Sequence, residues 1–180
     1  MEKIGLFFGS DSGCTDDISK DLFAFWGGDQ LEVAEIGASS KEDLERYNIL
    51  ILGLSTWYDG DLQSDWEDFF DEFKEIDFTG KTVAIFGLGD QIGYCEYFVD
   101  GIGILAKVVL ENGGTIIGHW PTKGYRFTES VAVMEDNEDY FYGLALDNDN
   151  EHQLSDERLK KWIAQVKSEL NINQEKAKAS

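Results

Sequence analysis

Between Gly5 and Ile18 the sequence reads GLFFGSDSGCTDDI. An apolar, strand-like run gives way to Ser10, Asp11, Ser12, Gly13, Cys14 and Thr15, and then to a helical pattern. Three hydroxyls and a backbone freed by glycine, opening onto a helix N-terminus, make a nest of N–H and O–H donors of the kind that receives a phosphate. No lysine or arginine stands among them, so the attraction would rest on neutral dipoles. The loop lacks both G-x-x-x-x-G-K-[ST] and G-x-G-x-x-G, which makes triphosphates and NAD poor candidates. Taken alone, it also fits an ordinary strand-to-helix turn with its N-cap.

Two further loops carry aromatic rings where a strand pattern ends. STWYDGDL supplies Ser55, Thr56, Trp57, Tyr58, Asp59 and Gly60, and GLGDQIGYCEY supplies Leu88, Gly89, Asp90, Tyr94, Cys95 and Tyr97. Two aromatic faces flanking a slot suit a flat heteroaromatic ligand, because stacked rings gain specific geometry beyond burial. Taken singly, Trp57 and Tyr94 are as well explained by packing on the core.

The elements that must position these loops are legible as apolar runs. Ile4 to Phe8, Ile49 to Leu54 and Thr82 to Phe86 read as buried parallel strands, with Leu31 to Ile36 and Thr115 to Ile117 as weaker ones. Helical stripes lie between them: Ile18, Leu22 and Phe25 within Asp16 to Trp26; Trp66, Phe69, Phe70 and Phe73; Phe98, Ile102, Leu105 and Val109; and Leu159, Trp162, Ile163 and Val166 in a last helix from Ser155. Ser64 with Glu67, and more weakly Ser40 with Asp43, read as capping boxes. The alternation predicts an α/β three-layer sandwich whose five-stranded parallel sheet runs 2-1-3-4-5, with ligands at the carboxyl ends of the strands. In that order the three loops converge. Residues 121–140 break the rhythm for longer than a connection of about 12–15 residues does without structure of its own, and are read as an insertion that splits the fifth strand. One domain over residues 1–172 and a flexible tail over 173–180 complete the expected organisation.

Composition narrows the function classes. Of 180 residues, 36 are Asp or Glu and 15 are Lys or Arg, a formal net charge of −21 that repels nucleic acid and anionic lipid and favours basic protein partners. The same charge is also explained by solubility alone. The two cysteines, Cys14 and Cys95, have no metal-ligand spacing, so a reducing, cytoplasmic setting is expected. No apolar run approaches the roughly 20 residues of a membrane span, and Met1-Glu2-Lys3 leads into a strand rather than a signal peptide. Asp147 opens an EF-hand-like DNDNEHQLSDER, but Arg158 stands where the bidentate Glu belongs. Lys20 stands where a C-x5-R phosphatase loop needs arginine, and His119 and His152 are isolated. No metal site and no catalytic residues are assigned.

With KIGLFFGSDSGCT, LQSDWEDF, GKTVAIFGLGDQIGY and GLALDNDN in view, the chain resembles the long-chain flavodoxins from Lys3 to about Leu170. The resemblance implies non-covalently bound FMN and low-potential, one-electron transfer between redox proteins, commonly in place of ferredoxin, by a carrier rather than an enzyme. Carried over by position, residues 10–15 would hold the phosphate, and Ser55 and Thr56 would lie beside it and the ribityl chain. Trp57 and Tyr94 would sandwich the isoalloxazine, Gly60, Asp90 and Cys95 would offer backbone groups to its polar edge, and Asp147 would contact the ribityl. Leu88, Gly89 and Tyr97 belong to the same loop. Implied partners are proteins with basic docking patches, such as ferredoxin-NADP reductase or photosystem I, met by a monomer without nucleic-acid binding or membrane insertion.

Three positions depart from the family pattern. Ser12 stands for the usual threonine but keeps the hydroxyl, and Cys14 stands where lysine or another polar residue is common. Tyr58 occupies a place usually given to Gly or Asn, where the peptide to the next residue flips on reduction; a bulkier residue predicts a less stable one-electron-reduced flavin. Two other readings remain open: a module of this fold that has lost FMN, and a quinone-reductase-like flavoenzyme, disfavoured because rings on both sides would block a substrate.

Overall fold

The computed structural model describes residues 2–179, the side chains of residues 172–179 excepted. Its central sheet is built from the apolar runs. β1 (Ile4–Phe8), β2 (Leu31–Glu35), β3 (Ile49–Trp57) and β5 (Thr82–Leu88) pair in parallel, and β6 (Thr115–Ile117) and β10 (Leu144–Leu146) both lie on the outer side of β5. Counting those two as one split strand, the order is the expected 2-1-3-4-5. β6 matches residues 82–84 and β10 matches residues 86–88, so the interruption falls opposite Ile85. β2 ends one residue earlier than expected because Ile36 enters a 3-10 turn, and β3 runs on to Trp57 because β4 (Asp61–Leu62) folds back on it.

Side chains alternate between two cores, as the period of a strand requires. Phe7, Leu50, Leu52, Val83 and Ile85 meet α3 (Ser64–Phe73) and α4 (Asp100–Glu111) through Trp66, Phe73, Ile102, Leu105 and Val109. Ile4, Leu6, Ile51 and Phe86 meet α1 (Cys14–Trp26) and α5 (Ser155–Ala179) through Ile18, Leu22, Leu159 and Trp162. Each fully buried ring or branched chain contributes roughly 1.5–3 kcal/mol. In α1 it is Trp26, at 2% exposure, that completes the stripe, while the expected Phe25 is half-buried beneath the Lys160 ammonium. The expected tail, 173–180, falls outside the residues whose side chains are described.

Helix capping follows the expectation at one site and departs from it at another. At α2 (Lys41–Glu45), the Asp43 carboxylate accepts from the Ser40 N–H and hydroxyl. At α3 the cap is Gln63, whose side-chain oxygen accepts from Trp66 N–H; Ser64 is the first helical residue and gives its hydroxyl to Asp11. The reason is packing: Gln63 is fully buried against Gly9, where any Cβ would lie 1.9 Å from the Gln63 amide oxygen. The insertion has its own sheet, β7 (Trp120–Pro121), β9 (Asn137–Phe141) and β8 (Val133–Met134), antiparallel throughout. Phe98, Tyr125, Phe127 and Phe141 pack ring on ring beneath it, and Tyr125 donates to Ala145 O at 2.6 Å in β10.

Candidate functional site

β1, β3 and β5 end side by side, with Phe8 opposite Gly53 and Ser55 opposite Leu88, so their loops share one end of the sheet. The first loop turns through Gly13 at φ 90°, a left-handed conformation that favours glycine, and a Cβ there would meet nothing within 4 Å. Gly13 is the N-cap of α1, and no side chain caps the helix. Among the described residues, none accepts from the N–H groups of Ser12, Cys14 or Thr15. Ser10 Oγ accepts from Gly13 N–H at 3.0 Å, and the buried Thr15 hydroxyl shares a 2.8 Å hydrogen bond with Ser55 Oγ. The Asp11 carboxylate is turned to α3, where the Ser64 hydroxyl and the Gln63 amide hold it below its usual range against burial.

The second loop is the tip of the β3–β4 hairpin. Trp57 and Tyr58 approach at 6.1 Å between ring centroids, Asp59 is exposed, and Gly60 has φ 91°. Tyr58 itself sits at φ 44°, so the unusual backbone angle feared for this position is present in the resting turn. Trp57 Nε1 is buried and has no partner among the described residues.

The third loop is held from inside. Asp90 Oδ1 accepts from the N–H groups of Gly93 and Ile92 and from the Asn150 amide, which together outweigh burial and hold that carboxyl below its usual range. Asp147, fully buried, takes the Gln91 N–H at 3.1 Å, the Gln91 amide at 2.8 Å and both donors of Asn150. Gln91 in turn donates to Glu151 and accepts from Arg126 N–H at 2.6 Å, tying this loop to the insertion.

Between the loops lies a cleft of about 350 Å³ lined by Ser12, Cys14, Ser55, Thr56, Trp57, Tyr58, Leu88, Gly89, Asp90, Tyr94, Asn148 and Asp149. Most of these are residues the sequence pointed to. Ser10, Asp11, Gly13, Thr15, Asp59, Gly60, Cys95, Tyr97 and Asp147 are not in the lining. Asp147 is spent on shaping the loop, the Cys95 carbonyl accepts from Thr128 and Glu129, and Tyr97 packs near Gly60. Asn148 and Asp149 were missed, although they adjoin Asp147 in the quoted GLALDNDN. Asp149 is pushed above the usual carboxylate range by burial first and then by the charges of Asp90 and Asp147. Among the described residues, no basic side chain lines the cleft.

These features fit a flat ring carrying a phosphate: open donors at a helix start, with an indole and a phenol lining the same cleft. The family model described as Flavodoxin matches residues 6–162. A flavodoxin of Klebsiella pneumoniae is 49% identical over 174 residues, covering 97% of this chain and 98% of its own. A flavodoxin of Nostoc is 43% identical over 171 residues, covering 95% and 99%. Among solved structures, the Fusobacterium nucleatum flavodoxin bound to flavin mononucleotide superposes with a TM-score of 0.87 at 33% identity, covering 94% of this chain and 99% of that one.

Proposed function

The chain belongs to the flavodoxin family, and from that premise we propose that it binds FMN in the cleft between its three loops and carries single electrons at low potential between redox proteins, as a substitute for ferredoxin. The bound flavin supplies the electron-accepting ring; the protein orients and insulates it. The observation that carries this reading is the start of α1, a helix opened by an uncapped left-handed glycine with Ser12 and Cys14 lining the same cleft as Trp57 and Tyr94. Ser12, Cys14 and Thr15 N–H groups, with the Ser10, Ser12 and Thr15 hydroxyls, would hold the phosphate. Trp57 and Tyr94 would cover the ring faces and exclude water, while Gly60, Asp90 and Cys95 would offer backbone groups at the ring edge.

Asp90 and Asp149 at the rim, with Asp147 behind them, add negative charge close to the ring position. Repulsion at that range raises the cost of placing a second electron there, which favours a low potential for the second step. The acidic surface supports transient docking on basic patches of donors and acceptors, such as ferredoxin-NADP reductase or photosystem I, by a monomeric, single-domain cytoplasmic protein.

The test is the visible spectrum of the purified protein, titrated anaerobically with dithionite. A yellow protein that bleaches in two separable one-electron steps supports the carrier. A colourless protein that stays colourless after incubation with FMN removes the reading and leaves a binding module of the same fold.

A further inference from the structure

Tyr58 and Val99 are the two non-glycine residues at positive φ among those described, at 44° and 50°. For a β-branched residue that conformation is an outlier, held only where the surroundings over-determine it. The two lie on either side of one contact. Val99 is the N-cap of α4, fully buried, and its N lies 2.9 Å from where a Cβ on the cleft residue Gly89 would be. The next residue, Asp100, is 6% exposed and presses Oδ2 against the tip of the hairpin, 2.8 Å from the Cβ position of Gly60. One step on, Gly101 N–H donates to Thr56 Oγ1 at 2.9 Å.

The other oxygen of Asp100 faces the insertion. Oδ1 accepts from Val131 N–H at 2.9 Å. The neighbouring Ser130 donates its hydroxyl to Phe98 O and accepts from Ala132 N–H, which fixes the shape of that segment. The approach is close: a Cβ on Gly103 in α4 would lie 2.0 Å from Val131 O. Yet no residue of the insertion lines the cleft.

We propose that Asp100 is a positioning residue for the Tyr58–Gly60 turn, and that the insertion reaches the cofactor site through it, by fixing the carboxylate with the Val131 N–H. Burial pushes this carboxyl above its usual range, while the Val131 N–H opposes the shift. An acid kept in so dry a place is consistent with a job for its shape and acceptor capacity. The proposal rests on the FMN reading for its redox consequence, but its mechanical part stands on the polypeptide alone.

The two parts are therefore tested separately. In the flavin-free protein, Asp100→Ala is expected to speed amide hydrogen exchange in the β3–β4 pairing, residues 56–57 and 61–62, about tenfold while leaving the β5 amides unchanged. Ser130→Ala is expected to do the same to a smaller degree, and Asp100→Asn, which keeps the shape and an acceptor, to restore protection. In protein loaded with FMN, Asp100→Ala is expected to change the separation of the two one-electron potentials, with Asp100→Asn closer to wild type. Unchanged exchange in the β3–β4 pairing, or a loss of protection shared equally by β5, would overturn the proposal. Failure to load FMN would count against the functional reading alone.

Discussion

In the first loop the N–H groups of Ser12, Cys14 and Thr15 have no acceptor among the described residues, whereas across the cleft Asp147 and Asp90 gather the donors of Gln91, Ile92, Gly93 and Asn150. One loop is left open and the other is closed on itself. The difference is what the proposed function asks of each. A loop that receives an anion needs donors whose partner arrives with the ligand, at a helix end where the backbone dipoles already favour negative charge. A loop that presents a ring face must keep its shape without help, and buried acceptors with several donors supply that rigidity.

The comparison breaks most visibly if its closed side is opened. Asp147→Ala leaves the buried Gln91 N–H without an acceptor and takes one acceptor each from the Gln91 and Asn150 amides, and urea unfolding of the flavin-free protein is expected to show a loss of about 3 kcal/mol. The open side answers differently. Thr15→Val keeps the volume and removes the hydroxyl shared with Ser55, so titration calorimetry is expected to show FMN binding weakened about tenfold, with less than about 1 kcal/mol lost from the flavin-free protein.

Between the two sits the hairpin tip. Tyr58→Gly relieves the left-handed strain at the cost of the contact with Trp57, and denaturant midpoints are expected to show a net gain of roughly 0.5 kcal/mol. Smallest is a pH effect at the cleft rim. Burial and the neighbouring carboxylates raise the pKa of Asp149, so the folded chain holds its proton more tightly than the unfolded one. Its contribution is fully present below the unfolded value near 3.8 and is lost as pH rises through the raised one. Asp149→Asn is expected to flatten that part of a stability–pH curve by a few tenths of a kcal/mol, solvent screening keeping the effect small.

The sheet order, the split fifth strand and most of the cleft lining were legible because they depend on apolar period and on loop residues following strand ends. What escaped depends on contacts between distant segments. Ser64 carries a capping-box pattern, but Gln63 takes the cap because its side chain is wedged against Gly9. Asp147 carries a family signature, yet sits buried behind Asn148 and Asp149, since the fold spends it on Gln91, 56 residues away in the chain. Val99 at φ 50° has no sequence signal at all: nothing local asks a valine to be left-handed, and only the packing of Gly89 and Asp100 around it does.

The interrupted strand opposite Ile85 has one more consequence. Open sheets are exposed at their edges to pairing with other chains, and a long flat edge invites stacking into aggregates. Here β6 and β10 each offer three residues, and the chain leaves the sheet between them, so no continuous template exists on that side. The opposite border, β2, turns Glu32 and Glu35 to solvent, where two incoming copies would meet like charge. A highly acidic shuttle of this construction is guarded at both borders against polymerising with itself.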